Sequence, residues 1–213
     1  KSGAGVALYG RSTDAAGVDW ACPDHELNGR LTARMVHAKG YARAVLCKAP
    51  RPDLHTGVGD ALKLRASKLY FDALAQELRR LGFFGSRLIV LPEEAFEDAD
   101  PWFEADGVEA RIGPLASSPD VRTAFVAVND RSGLFIAEWL RSKGLLSPGK
   151  CGVVDRYHHE TNRRTRQPVS TWSIDAAEVG RAAVARLLER MEFPGRPASH
   201  AFIRAAFVDY GTL

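Results

Sequence analysis

The chain has 213 residues, 46% of them hydrophobic and 26% charged, with a formal net charge of +3. That length and balance suit a globular protein with room for one large or two smaller α/β units, and exclude a disordered or fibrous chain. The small basic excess makes no case for nucleic-acid binding by this segment, and no apolar run approaches the roughly 20 residues of a membrane span.

Short apolar runs alternate with amphipathic helices along the chain. Residues 6–9 read as a strand with only Lys1-Ser2-Gly3-Ala4-Gly5 before it, an abrupt start that suits a chain beginning in the middle of a fold. Residues 17–22 read as a second strand. Asp24 then opens a helix in which Leu27, Leu31, Met35 and Ala38 recur at helical spacing, up to Gly40. A buried-type strand over 42–47 leads into a Pro- and Gly-rich loop, 48–59. The longest helix is expected over 60–81, with Leu62, Leu69, Ala73, Leu74, Leu78 and Leu81 as its apolar stripe. Residues 87–91 form a strand ended by Pro92. The acidic stretch that follows is read as holding one short helix over 98–105.

The second half continues the alternation. Residues 124–128 form a strand followed at once by Asn129-Asp130, and Asp130 is a natural cap for the helix carrying Leu134, Ala137 and Leu140. Strands are expected over 152–154 and 169–174. Asp175 caps a helix carrying Val179, Ala183, Leu187 and Met191, and residues 202–208 form the closing strand. Such alternation means parallel sheets covered by helices on both faces. Ligands bind these sheets beyond the carboxyl ends of their strands, so polar residues just after strands are the candidates.

Cys22, Cys47 and Cys151 are few, odd in number and far apart, with no CxxC pair. A zinc or redox site is therefore not expected, and the thiols read as reduced, as in the cytoplasm. No charged-then-apolar leader opens the chain, so nothing marks it for export.

From Thr123 onward the chain resembles a known family. Thr123-Ala124-Phe125-Val126-Ala127-Val128-Asn129-Asp130 resembles the strand-then-Asn-Asp element of LacI/GalR transcription regulators. Lys143-Gly144-Leu145-Leu146-Ser147-Pro148 resembles their Gly-Leu-x-x-Pro connection. Gln167-Pro168-Val169-Ser170-Thr171-Trp172 is similar to their Pro-x-Leu-Thr-Thr crossover strand, and Asp175 to Ala183 to the helix after it. Phe207-Val208-Asp209-Tyr210-Gly211-Thr212 resembles their closing strand. The first half is similar more loosely, with Asp24, Gly29-Arg30-Leu31 and Lys39-Gly40-Tyr41, where Tyr41 stands in the place of a usual His.

The resemblance implies an α/β fold of two Rossmann-like lobes with parallel sheets, periplasmic-binding-protein-like type I, with the amino-terminal lobe incomplete. On that map residues 1–39 and 174–197 belong to the amino-terminal lobe, and 40–173 with 198–213 to the carboxy-terminal lobe. It further implies a sugar-type effector, a homodimer, and DNA contacted through a headpiece outside this chain.

Sugar recognition needs planar polar side chains that grip hydroxyls, and an aromatic face for the ring. Asn129 stands directly after a strand, and its amide donates and accepts at once; the other reading is a turn residue before a helix cap. Arg65 lies where the family places a ligand-reaching Arg, one residue out of register; otherwise it is a solvated helix-face Arg. Asp155 follows a strand where the family shows Gly-hydrophobic-Asp-Asp, and Tyr157 falls at the first of those Asp positions on ungapped counting. Trp172 on the crossover strand is either a stacking platform or a core residue. Asn28 maps near a ligand-facing polar position of the other lobe.

Two clusters are discounted. Adjacent His158-His159-Glu160 in a loop rarely converge on one ion, so no metal is expected; Arg163, Arg164 and Arg166 read as a solvated loop. Gly3-Ala4-Gly5 precedes a strand rather than following one, unlike a dinucleotide fingerprint. No nucleophile elbow, phosphate loop or supported catalytic pair is present. The sequence therefore favours a cofactor-free effector-binding core over an enzyme, with a transport sugar-binding protein as the alternative.

Overall fold

The computed structural model describes residues 7–9, 18–47, 58–91, 105–118, 120–127, 130–156 and 165–213. Two sheets organise them. The smaller has three parallel strands in the order β1 (Ala7–Tyr9), β2 (Asp19–Pro23) and β8 (His200–Ile203). The larger has six, in the order β4 (Leu88–Leu91), β3 (Arg43–Cys47), β5 (Thr123–Ala127), β6 (Cys151–Arg156), β7 (Ser170–Ser173) and β9 (Ala206–Val208). All its neighbours are parallel except β7 and β9. Five helices accompany them: α1 (His25–Ala38), α2 (Val58–Arg80), α3 (Ala105–Ala116), α4 (Asp130–Ser142) and α5 (Ala176–Glu192).

The central strands of the large sheet are apolar on both faces because both faces are covered. On β3, β5 and β6, successive side chains go to opposite layers. Leu46, Val126 and Val154 pack with Ala33 and Val36 of α1 and with Tyr70, Phe71, Leu74 and Leu78 of α2. Val45, Phe125 and Val153 pack with Ile112 of α3 and with Ile136, Ala137 and Leu140 of α4. Burying a Leu, Ile or Phe side chain contributes roughly 1.5–3 kcal/mol, so these two layers are the main stabilising mass of the large unit.

The helices start where the sequence sets caps. The Asp24 carboxylate accepts from the Leu27 N–H at 2.9 Å, and Asp175 accepts from the Glu178 N–H at 3.0 Å. Between α1 and α2 the backbones nearly touch. A Cβ on Gly29 would stand 2.3 Å from the Tyr70 carbonyl oxygen and 3.0 Å from the Leu74 nitrogen. Only a residue without a side chain fits there.

The chain passes between the two sheets three times: from β2 to α1, from β7 to α5, and from β8 to β9. The partition differs in two places from the boundaries expected at residues 39 and 198. Helix α1 packs on α2 and the large sheet, while β8 pairs with β2 in the small one. The run read as one closing strand over 202–208 is therefore two strands in two sheets, parted at Arg204-Ala205. Local alternation continues across that break, and only the hydrogen-bonding partner changes. The short helix expected over 98–105 lies outside the described residues except for residue 105, where α3 begins. Helix α3 tolerates Pro114 in its last turn because Ile112 and Ala116 are buried in the α3/α4 layer.

The small unit is tied at its base by Asp19, which has no exposed surface. Its carboxylate accepts from Arg190 Nε at 2.9 Å, from Arg196 at 3.1 Å and from the Ser199 N–H at 2.7 Å. This joins β2, the end of α5 and the turn before β8. Burial alone would raise the Asp19 pKa, but the bonds from Arg190, Ser199 and Arg196 outweigh it and hold the carboxyl far below the usual carboxylate range.

Two measurements follow from these contacts. Gly29→Ala is expected to lower the urea unfolding free energy by about 3 kcal/mol, because backbone blocks the added methyl. Asp19→Asn is expected to cost roughly 2 kcal/mol, towards the low side for a broken buried pair because both arginines reach the rim. Because the folded carboxyl titrates below its unfolded value, the Asp19 contribution is complete above about pH 4 and is lost as pH falls below it. Wild type and Asp19→Asn should therefore converge in stability on acidification; parallel pH curves would contradict the assignment.

Candidate functional site

Polar residues gather at the carboxyl end of the large sheet, beneath the three crossings. Strand β5 ends at Ala127, and α4 begins at Asp130. Asn129 falls between them, outside the described residues, as does Tyr157 after β6. Arg65 sits in the second turn of α2 and is half-buried. Asp155 and Arg156 close β6, and both are buried. Asn28 and Trp172 are buried as well, one on α1 and one on β7.

Two of the expected residues meet through a hydroxyl that the sequence did not single out. Thr32 is fully buried one turn after Asn28. Its Oγ1 donates to the main-chain carbonyl of Asn28 at 2.9 Å and accepts the Trp172 indole N–H at 2.8 Å. The Tyr70 hydroxyl lies 2.8 Å from the same oxygen. Thr32 has one proton to give, and it is committed to Asn28, so the Tyr70 hydroxyl is the donor in that pair. Above Tyr70, the Arg156 guanidinium sits 5.0 Å from the ring centre and donates to the Ala66 carbonyl at 3.1 Å. Trp172 also packs on Phe207, with ring centres 5.3 Å apart.

The result is a buried polar column through the main-chain carbonyl of Asn28 and the side chains of Thr32, Trp172, Tyr70 and Arg156 that links α1, α2, β6 and β7. It places the indole of Trp172 inside the large unit, where its N–H is satisfied and its faces are packed. Thr32, Tyr70 and Arg156 left only faint signals in the sequence. Thr32 follows Asn28 at helical spacing, and Arg156 adjoins Asp155 at a strand end. Neither signal reveals the contact, because the partners of Thr32 lie 38 and 140 residues away along the chain and the partner of Arg156 lies 90 away.

Other chemistry finds little footing. All three cysteines are free and buried. Burial pushes the Cys47 thiol far up and the Cys151 thiol to about 11, so neither is a thiolate at neutral pH. Among the described residues no group of three His, Cys, Asp or Glu side chains could hold a metal ion, and no helix is long and apolar enough to cross a membrane. A surface groove between α3 and α4 is lined by Glu109, Pro114, Trp139 and Lys143. Its polar groups satisfy one another, with Lys143 3.0 Å from Glu109.

The column gives a direct test. Thr32→Val keeps the shape but removes the shared hydroxyl, leaving a buried indole N–H and a buried phenol unpaired. The expected loss is roughly 2–3 kcal/mol in urea unfolding. Thr32→Ser, which keeps the hydroxyl, should lose less than Val; the reverse order would refute the column as a hydrogen-bonded unit.

Comparison with known proteins gives consistent results. A sequence profile described as the periplasmic binding protein-like domain matches residues 33–211. No curated protein matches the chain. Among solved structures, the chain is similar to a LacI transcriptional regulator from a Rhodococcus species, with a TM-score of 0.70 and 18% identity over 97% of this chain and 69% of that one. It is also similar to a LacI family transcriptional regulator from Enterococcus faecium with bound ribose, with a TM-score of 0.65 and 17% identity over 94% of this chain and 68% of that one. A third is a LacI family transcriptional regulator from Arthrobacter sp. in complex with lactose, with a TM-score of 0.64 and 19% identity over 91% of this chain and 66% of that one. At these identities the likeness establishes the fold. The chain spans about two thirds of the length of these solved chains.

Proposed function

We infer, from the premise that this chain belongs to the periplasmic binding protein-like domain family, that it is the effector-binding core of a transcription regulator and takes a sugar. The observation that carries the reading is the triple crossing between two sheets, with polar side chains collected at the strand ends below it. Such an arrangement lets a guest held between two units bias the angle between them. The structural neighbours from Enterococcus faecium and Arthrobacter, with ribose and lactose, support a sugar as that guest. The reading is of a binding protein rather than an enzyme, acting as a cytoplasmic homodimer whose DNA contact is made by a headpiece outside these residues.

Within this reading Asn129, Arg65 and Tyr157 touch the ligand. In sequence Asn129 follows β5 and Tyr157 follows β6, and Arg65 lies on α2. Asn28 and Trp172 are buried, and in this reading Trp172, held by Thr32, supports the site from within the large unit. The ligand must favour one angle between the units over another, or nothing is transmitted to DNA.

The test is thermal unfolding of the full-length protein with ribose, lactose and a wider set of sugars and polyols. A ligand at 100 times its Kd adds about 2.7 kcal/mol of stability, so a clear rise in Tm is expected for at least one of them. Asn129→Ala should weaken that ligand at least about tenfold, as expected when hydrogen bonds worth some 1.4 kcal/mol or more are lost. The same sugar should change operator binding in a gel-shift assay. A sugar that binds tightly but leaves DNA binding untouched would point to the transport alternative. Unchanged Tm across the whole set would overturn sugar binding.

A further inference from the structure

Strand β6 ends in two charged residues in succession, and strand geometry sends them to opposite faces. Val154 belongs to the α1/α2 layer and Val153 to the α3/α4 layer. Arg156 follows the direction of Val154, and its guanidinium reaches Ala66 and Tyr70 of α2. Asp155 follows the direction of Val153 and faces α4. There it meets Gly133: a Cβ built on that glycine would stand 2.9 Å from the Asp155 Cβ and 2.9 Å from its Oδ2. Asp155 has no exposed surface, and Ser132 beside Gly133 is also buried.

A carboxylate taken out of water costs several kcal/mol unless its surroundings compensate. The first turn of a helix does so, because its leading N–H groups have no intrahelical acceptor and its dipole is positive there. Gly133 lies in that turn of α4, three residues after the helix begins at Asp130. Asp155 is thus packed against that first turn, and Gly133 supplies the space that lets it approach.

We infer that Asp155 is a positioning residue: it fixes the first turn of α4 to the end of β6, and so fixes where α4 begins. The functional half of this inference rests on the sugar-binding reading above. A direct contact is the other use for a carboxylate at a strand end. A ligand hydroxyl would have to come within about 3 Å of the carboxylate, and the first turn of α4 already occupies the space beside it.

The test uses four variants of the full-length protein: Gly133→Ala, Asp155→Gly, Asp155→Asn, and Gly133→Ala combined with Asp155→Gly. Gly133→Ala should lower Tm because the methyl collides with the Asp155 side chain. The double variant should regain most of that loss, since removing the Asp155 side chain makes room for the methyl. Asp155→Asn keeps the shape and loses the charge, so amide hydrogen exchange over residues 131–133 should speed up at least about tenfold, the reading of roughly 1.4 kcal/mol of lost local protection. Losses that simply add in the double variant, or unchanged exchange in Asp155→Asn, would overturn the inference.

Sugar affinity separates positioning from contact. Measured with ribose and lactose, Asp155→Gly should weaken binding alone, and Gly133→Ala added to it should restore part of the loss by refilling the gap. Binding abolished equally in both backgrounds, with the α4 amides undisturbed, would make Asp155 a ligand contact instead. If wild type binds no sugar, the proposed function fails, while the Tm cycle and the exchange rates still decide whether Asp155 holds α4.

Discussion

Burial of the large sheet on both faces constrains everything else in this protein. Its central strands can carry only apolar side chains along their length, because each alternate residue enters one of two packed layers. Polar chemistry is pushed to the ends of the strands, where Asp155 and Arg156 stand on β6 and where the chain leaves β5 for Asn129. The helices return along the faces, so α2 and α4 begin at that same edge. The candidate site is a consequence of how the core is made rather than an addition to it.

Polar groups carried inside that frame are held by one another. The Thr32 hydroxyl serves three partners at once, and it joins a helix that follows the first crossing to a strand that precedes the second. In the small unit, Asp19 does a similar task with Arg190 and Arg196. These two clusters tie elements together within each unit, on either side of the crossings. Residues 24, 174–175 and 204–205 are then the natural places for the backbone to yield, since they join elements committed to different sheets. A rigid pair of units on short connections is what an effector needs if its binding is to change an angle rather than dissipate in local distortion.

Much of the fold was legible because it follows from local rules. The caps at Asp24 and Asp175, the helical spacing in α1, α2, α4 and α5, and the solid apolar strands all lie within a few residues of one another. The family resemblance then arranged those elements. Less legible were features that depend on which strand accepts a hydrogen bond. The stretch from His200 to Val208 alternates without interruption, yet it serves two sheets. Helix α1 reads equally well as a cover for either unit until Gly29 is seen against the backbone of Tyr70.

The same division applies to the candidate site. The sequence by itself determined the α/β class, the alternation of buried strands and helices, and the strand ends as the place for polar chemistry, because each is encoded in spacing along the chain. The tertiary structure alone decided what those polar residues face. It put the Trp172 indole on Thr32, the Arg156 guanidinium over Tyr70, and the Asp155 carboxylate against Gly133. Those outcomes depend on pairings across tens of residues, set by the competition between two faces of one strand for two different helices, and no local pattern records which face wins.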